Sequence, residues 1–207
     1  MSKDYPNDTV LSDSTGPETP KRVRVWDPLV RVFHWSLLAG FATAFIVEDD
    51  LLGVHVWAGY LVLALVAVRL VWGLIGTRHA RFSDFVRSPG AVLTYLRDVM
   101  RLRAPRYLGH NPAGGAMILL LLIGLAATGI SGLALYGAEE FAGPLAETMR
   151  GLPSSWGDVL EETHEVLANL TLGLILIHVA GVLVSSLLHR ENLIGAMISG
   201  YKRQELE

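Results

Sequence analysis

Four long apolar stretches constrain this chain more than any other feature of its sequence. They cover about residues 29–47, 51–75, 112–136 and 159–188. A helix needs about 20 mostly apolar residues to cross the hydrocarbon core of a bilayer, and each stretch meets that requirement. The stretches are continuous rather than alternating, which favours helices over barrel strands. The sequence therefore predicts an all-α fold, an integral membrane four-helix bundle surrounded by membrane lipid.

Composition agrees with a membrane protein and narrows the chemistry. Hydrophobic residues make up 51% of the chain, and the formal net charge of −3 argues against a protein that binds nucleic acid. The chain has no cysteine, which excludes disulfides, thiolate-ligated iron–sulfur clusters and covalent c-type haem attachment. Any redox cofactor must then be held by histidine or another ligand without a thiolate.

The distribution of charge predicts the topology. The link at residues 77–111 carries seven arginines and two aspartates, whereas the link at 137–158 carries one arginine and four acidic residues. The positive-inside rule places the arginine-rich link and both termini in the cytoplasm, and the acidic link outside. Residues 1–20 are polar and lack apolar periodicity, which predicts a flexible cytoplasmic tail before a transmembrane domain at 21–203. The tryptophans near the span ends are interpreted as boundary anchors.

The arginine-rich link contains a further helix. Ser88-Pro89 is typical of an N-cap followed by proline at the first helical position, and the helix is expected to run to about Arg103. Apolar side chains recur on one face and charged ones on the other. We expect a short interfacial helix on the inner leaflet, between the second and third spans.

Four histidines lie inside the spans: His34, His55, His164 and His178. Ionisable side chains at membrane depth are costly and normally mark a functional site. In the predicted topology, His34 and His178 lie in the inner half, and His55 and His164 lie in the outer half. His164 and His178 are fourteen residues apart, about 21 Å along a helix, and project from nearly the same face.

This arrangement predicts two ligand pairs, with His55 and His164 on an outer haem and His34 and His178 on an inner one. Two imidazoles per iron leave no open coordination position, which favours electron transfer over oxygen chemistry. A zinc site fits poorly, because the four residues are divided between two depths. His79 and His189 are interpreted as interfacial or solvated residues, whereas His110 lies in a more distinctive run.

Several motifs together resemble the bacterial cytochrome b561 and nickel-iron hydrogenase b-type cytochrome superfamily over about residues 22–203. They are Asp27-Pro28 with Arg31-Val-Phe-His34-Trp35, His55-Val-Trp57-Ala-Gly59-Tyr60, Arg106-Tyr-Leu-Gly-His-Asn-Pro-Ala-Gly114, Glu162-Thr-His164 and Ile177-His178. The resemblance implies a multi-pass cytochrome of the bacterial inner membrane with two haem b groups on the four histidines. It also implies electron exchange with quinone and with a partner at the outer face.

In that setting Arg31, Arg69 and His110 become candidates for binding haem propionates or a quinone headgroup. The alternative is that the arginines extend to the interface and that His110 is an ordinary loop residue. The resemblance leaves oligomerisation open.

The sequence is compatible with three functions. The first is an electron-transfer subunit of an oxidoreductase that links quinone to a hydrogenase or a c-type cytochrome. The second is a stand-alone quinone oxidoreductase that oxidises superoxide at the outer face, although the acidic outer link would repel that anion. The third is a cofactor-free proton or ion carrier lined by histidines.

Overall fold

The structure is a computed structural model that describes residues 22–48, 50–153 and 155–203. Within these residues, four helices are long and apolar enough to cross a membrane: α1 (Pro28–Val47), α2 (Leu52–Ile75), α5 (Pro112–Glu139) and α7 (Ser155–Leu188). They confirm the four predicted spans, and the last two extend beyond the predicted bounds. The chain is therefore an all-α membrane bundle. The predicted tail at residues 1–20 lies outside the described residues.

Short elements fill the links. A 3₁₀ turn (Arg78–Ala80), α3 (Phe82–Phe85) and α4 (Pro89–Met100) follow α2, and α6 (Ala146–Met149) lies between α5 and α7. After α7 come α8 (Leu193–Ser199) and the strand β2 (Tyr201–Arg203), which pairs antiparallel with β1 (Arg22–Arg24). We call the end of the bundle where β1 and β2 pair the terminal end, and the end where α2 and α7 begin the distal end.

The starts of three helices follow one local rule. Each begins with a polar N-cap residue followed by proline: Asp27-Pro28, Ser88-Pro89 and Asn111-Pro112. The Asp27 carboxylate accepts a hydrogen bond from the Val30 amide at 2.9 Å, and the Asn111 side chain accepts one from the Gly114 amide at 2.7 Å. Proline suits this position because the first amides of a helix have no intrahelical acceptor.

The spans pack in the order α1, α2, α5 and α7. Neighbouring spans are in close contact, but within the described part of the chain α7 packs closely against α5 and not against α1 or α2. The core between the first three spans is formed by Phe33, Val62, Val66, Leu122 and Leu125. Many large apolar side chains point outward instead, among them Ile46, Leu74, Ile123 and Leu187. An apolar exterior of this kind is expected where the surrounding solvent is lipid.

The predicted interfacial helix is present as α4, and it ends earlier than about Arg103. Leu93, Leu96 and Met100 are exposed, as expected for the apolar face of a helix that lies on a membrane surface. The residue that α4 buries is Tyr95, whose ring packs against Tyr107 at 5.8 Å. The helix is thus attached to the bundle through an aromatic residue on a different part of its surface.

The terminal end is closed by an ion triad that we call the clasp. Glu191, after α7, accepts hydrogen bonds from Arg106 at 2.8 Å and from Lys202 at 3.1 Å. Lys202 also donates to the Tyr107 carbonyl, and Arg106 donates to the carbonyl of Arg203. The Lys202 side chain is 3% exposed. The clasp therefore ties the long link to both sides of α8.

Candidate functional site

A gap separates α7 from α1 and α2, and the four membrane-depth histidines face one another across it. His164 and His178 project from α7, His55 from the first turn of α2 and His34 from the second turn of α1. Because α7 packs closely only on α5 among the spans, the space opposite its histidines is not filled by another helix backbone. The gap is the natural place for a cofactor bound between helices.

His55 and His164 form the distal pair. Their ring centroids are 5.9 Å apart with an interplanar angle of 76°. The Nδ1 atom of His55 lies 3.0 Å from the Ala44 carbonyl oxygen, which can only accept a hydrogen bond. Nδ1 therefore carries the proton, and the lone pair of the neutral ring lies on Nε2. This is the tautomer that a metal-binding histidine needs at Nε2.

The same tautomer is set at His164 by α5. Its Nδ1 lies 3.0 Å from the Thr128 carbonyl oxygen and 3.1 Å from Ser131 Oγ, while Ser131 itself donates to the Thr128 carbonyl at 2.9 Å. The ring also needs the absence of a side chain at Gly132, where an added Cβ would lie 2.8 Å from the His164 Cε1 atom. Three residues of α5, Thr128, Ser131 and Gly132, thus orient one imidazole.

His34 and His178 form the terminal pair. Their ring centroids are 6.5 Å apart with an interplanar angle of 55°, and the indole of Trp35 lies edge-on to His34 at 5.2 Å. The Nδ1 atom of His34 is buried and has no hydrogen-bond partner among the described residues. The terminal pair therefore has the same ligand types as the distal pair in different surroundings.

The geometry of both pairs fits a metal held between two imidazoles. Two metal–nitrogen bonds of about 2.1 Å and two ring radii place the centroids roughly 6 Å apart. Within the described residues, no three His, Cys, Asp or Glu side chains come together to hold a metal ion. A metal at either pair would need its other ligands from a macrocycle, and haem supplies four ring nitrogens in a plane. The residues present therefore fit haem and not a protein-only zinc site.

Arg69 is a buried cation in the part of α2 towards the terminal end. It is 3% exposed and lies on α2 over the rings of Phe82 and Phe85, at 5.1 and 5.9 Å. Its Nη1 atom is buried without a hydrogen-bond partner among the described residues. A buried guanidinium with an unused donor is costly unless an anionic or accepting group completes it. The free donor at Nη1 can therefore bind an anionic or hydrogen-bond-accepting group.

His110 lies beside Arg69 in the link before α5. Its ring packs between Trp26 at 4.5 Å and Phe85 at 4.8 Å, and its Nδ1 atom is buried without a partner. Burial, followed by the nearby charge of Arg69, lowers the pKa of His110 to about 3. The ring is consequently neutral at pH 7. His110 therefore lies in a packed aromatic environment within the link.

Arg31 lines a cavity at the terminal end. The cavity has a volume of about 430 Å³, and its walls are Pro28, Arg31, Val32, Trp35, Ser36 and Ile198. Arg31 Nη2 donates to the Ile198 carbonyl, and its Nε atom is buried without a partner in the described structure. The structure thus places two neighbours of His34 at this cavity. Arg31 lies about one helical turn before His34 in α1, and Trp35 follows it directly.

Asp27, Trp72, Thr77 and Ser131 were not among the predicted site residues. The Asp27 carboxylate accepts hydrogen bonds from Trp72 Nε1 at 3.1 Å and Thr77 Oγ1 at 2.6 Å, which joins the start of α1 to the end of α2. Asp27-Pro28 was visible as a helix start. The long-range partners have no local signal in the sequence, and Ser131 is an isolated hydroxyl in an apolar run.

The two remaining histidines differ. His79 pairs with Asp84 at 3.1 Å in the link after α2, which agrees with a surface role. His189 follows α7, is half-buried, and has a buried Nε2 atom without a partner in the described structure. Neither residue belongs to the two pairs.

Comparison with known proteins gives a consistent result. Residues 25–200 match the family model described as prokaryotic cytochrome b561. The chain is also 25% identical to a protein of Rhizobium leguminosarum bv. viciae named "Probable Ni/Fe-hydrogenase B-type cytochrome subunit", with 94% of this chain and 95% of the relative covered. No solved structure matches the chain.

Proposed function

Because this chain belongs to the prokaryotic cytochrome b561 family, and is thus a b-type membrane cytochrome of electron transfer, we propose that it carries electrons between two haem b groups, one at each histidine pair. Haem iron supplies one-electron redox chemistry when it is bound. The observation that supports this proposal is the pairing itself: His55 with His164 and His34 with His178, at centroid distances of 5.9 and 6.5 Å.

The stoichiometry of haem tests the proposal. The purified protein is expected to bind two haems per chain, measured as the pyridine haemochrome against protein mass. His55→Ala and His164→Ala should both remove the same haem, the one at the distal pair. His34→Ala and His178→Ala should both remove the other haem. His79→Ala serves as the matched control and should retain both. A chain with one haem, or with none, would contradict the proposal.

The proposed orientation places the terminal end in the cytoplasm. It is supported by the arginines of residues 77–111 and by the acidic residues of 137–158. The chain has no cysteine, so a single introduced cysteine reports on one position without background. Arg101→Cys should react with an impermeant maleimide only in inside-out vesicles, and Glu147→Cys only in right-side-out vesicles. The reverse pattern would overturn the orientation.

Arg69 and His110 are proposed to bind the propionates of the haem at the terminal pair. Both contribute buried donors without partners in the described structure, and His110 is close enough to Arg69 and His178 for their charges to act on it. An arginine would form charge-assisted hydrogen bonds to a carboxylate. Arg69→Gln is expected to weaken retention of the terminal haem during dilution in detergent, whereas Arg78→Gln, at an exposed arginine, should not.

The cavity beside Arg31 is proposed as the quinone site. Its volume lies within the range of roughly 300–1,000 Å³ typical of small-molecule sites, and it combines an aromatic wall from Trp35 with polar groups from Arg31 and Ser36. Arg31→Gln is expected to slow haem reduction by a soluble quinol analogue without changing haem content. If the variant were reduced at the normal rate, the quinone would have to bind elsewhere.

A protein is proposed as the redox partner at the outer face. The relative from Rhizobium is named as a hydrogenase subunit, and the outer link of this chain is acidic, which favours a basic protein surface such as that of a hydrogenase or a c-type cytochrome. Copurification from native membranes should recover such a protein in a salt-sensitive complex. Haem reduction by superoxide near the diffusion limit would instead favour the stand-alone superoxide oxidase.

A further inference from the structure

The two histidine pairs differ in what holds their Nδ1 atoms. At the distal pair, His55 donates to the Ala44 carbonyl at 3.0 Å, and His164 donates to the Thr128 carbonyl at 3.0 Å and approaches Ser131 Oγ at 3.1 Å. At the terminal pair, His34 Nδ1 is buried without a partner among the described residues. Both distal rings are anchored by acceptors, and the His34 ring is not.

This difference affects the iron through the basicity of its ligands. When Nδ1–H donates a hydrogen bond, electron density on the ring rises and Nε2 becomes a stronger ligand. A stronger ligand stabilises the ferric state more than the ferrous state and so lowers the reduction potential. The distal pair therefore consists of two ligands of raised basicity, whereas the terminal pair contains one ligand, His34, without this hydrogen bond.

Fixed charges act in the same direction. Arg69, 3% exposed, and Arg31 lie at the terminal end, where the buried carboxylate of Asp27 offsets one of these two charges and the remaining positive charge stabilises the reduced iron. Near His164, the sequence of α7 carries Glu161, Glu162 and Glu165, all exposed carboxylates at the distal end. Negative charge there stabilises the oxidised iron. Ligand basicity and charge thus both separate the two sites.

We propose that Ser131 is a positioning residue for His164, and that its hydrogen bonds, together with those of the Thr128 and Ala44 carbonyls, hold the distal haem at a lower potential than the terminal haem. Haem held by His55 and His164 and by His34 and His178 would supply one-electron redox chemistry, and the order of potentials would favour electron transfer from the distal to the terminal end. Two electrons and two protons would be needed there to convert one quinone to quinol. The proposal rests on the two haems proposed above.

A redox titration of the purified protein tests the order of the potentials. The reduced α-band should titrate as two one-electron components. Their reduction equilibrium constants should differ at least tenfold, which corresponds to a difference in reduction potential of about 59 mV. His34→Ala, which removes the terminal haem, should leave the lower component. His55→Ala, which removes the distal haem, should leave the higher one.

Ser131→Ala tests the positioning role. The Thr128 carbonyl has two lone pairs, so the hydroxyl and the imidazole do not compete for it, and loss of the hydroxyl removes one acceptor from His164. The reduction potential of the lower-potential component should rise by roughly 28 mV, which is about a threefold change in its equilibrium constant. The potential of the higher component should stay unchanged. Ser131→Thr should restore the original value. Thr171→Val removes another buried hydroxyl, which bonds to Thr128 Oγ1, and should shift neither component.

The outcomes separate this proposal from the one on which it rests. A protein with fewer than two haems would remove the proposed function. Two haems with coincident potentials, a higher potential at the distal haem, or a Ser131→Ala shift confined to the terminal haem would overturn the inference and leave the di-haem carrier intact. If Ser131→Ala does not assemble, the titrations of His34→Ala and His55→Ala still decide the order.

Discussion

The imidazole of His164 lies 3.1 Å from the hydroxyl of Ser131, a residue on a different membrane-spanning helix. This contact links the gap beside α7 to the interface between α5 and α7, the most extensive contact between two spans. The orientation of His164 therefore depends on the packing of α5. This candidate ligand at membrane depth is held by a neighbouring helix as well as by its own.

The close approach of α5 to His164 predicts the effect of Gly132→Ala. The new Cβ would lie 2.8 Å from the His164 Cε1 atom, so the ring must move away from the Thr128 carbonyl. We expect loss or displacement of the distal haem alone, seen as a fall in the lower-potential α-band component. Gly173→Ala is the matched control because a Cβ there meets nothing within 4 Å. It should leave both components unchanged.

The clasp predicts a stability difference between two glutamates. Glu191→Gln removes the countercharge of Lys202, whose side chain is 3% exposed, and breaking a buried ion pair costs about 3–5 kcal/mol. Glu147→Gln disrupts the exposed pair with Arg150 and should cost less than about 1 kcal/mol. Thermal unfolding in detergent, followed by circular dichroism, compares the two variants. Equal midpoints would mean that the clasp does not hold the terminal end.

The clasp also predicts a loss of stability in acid. Burial acts to raise the pKa of Glu191, but hydrogen bonds from Arg106 and Lys202 outweigh it and lower the pKa below its ordinary value of 4.5. A carboxyl group with a depressed pKa contributes its full stability above the unfolded value and loses it as the pH falls through the folded value. The unfolding temperature of the wild type should therefore decrease as the pH is lowered below about 4.5. In Glu191→Gln this component of the fall should be absent.

The three hydrogen bonds of Asp27 predict that its substitution reduces stability more than the loss of an ordinary helix cap does. Its carboxylate caps α1 and also accepts hydrogen bonds from Trp72 and Thr77, and these bonds outweigh burial to hold its pKa below the ordinary value. Asp27→Ala should cost more than the typical cap value of about 1 kcal/mol and should loosen the terminal haem. Ser88→Ala, at the exposed cap of α4, should cost no more than that cap value and leave haem retention unchanged. Haem release rates and unfolding midpoints measure both effects.

Much of the fold could be predicted because lipid imposes simple requirements on a sequence. A spanning helix must be long and apolar, so its position follows from composition, and all four spans are confirmed. Helix starts such as Asp27-Pro28 and Ser88-Pro89 are local and equally visible. The pairing of β1 with β2 was not predicted, since three-residue strands far apart in the chain leave no periodic pattern.

The candidate site could be predicted only in part. Depth along the spans grouped the four histidines correctly into two facing pairs, because helix rise converts residue number into distance. Their role as haem ligands stays a prediction. The environment of Arg69, between Phe82 and Phe85, and the hydroxyl of Ser131 beside His164 depend on tertiary contacts between separate helices. Local sequence contains no record of such contacts.

The fourteen-residue spacing of His164 and His178 has an energetic consequence in a living cell. About 21 Å along α7 is roughly two-thirds of the 30 Å hydrocarbon core. In the proposed orientation, each electron that passes inward moves against an inside-negative membrane potential, at a cost of about 2.3 kcal/mol per 100 mV for the full thickness. The transfer is then electrogenic, and in sealed vesicles an imposed potential should shift electrons back towards the distal haem.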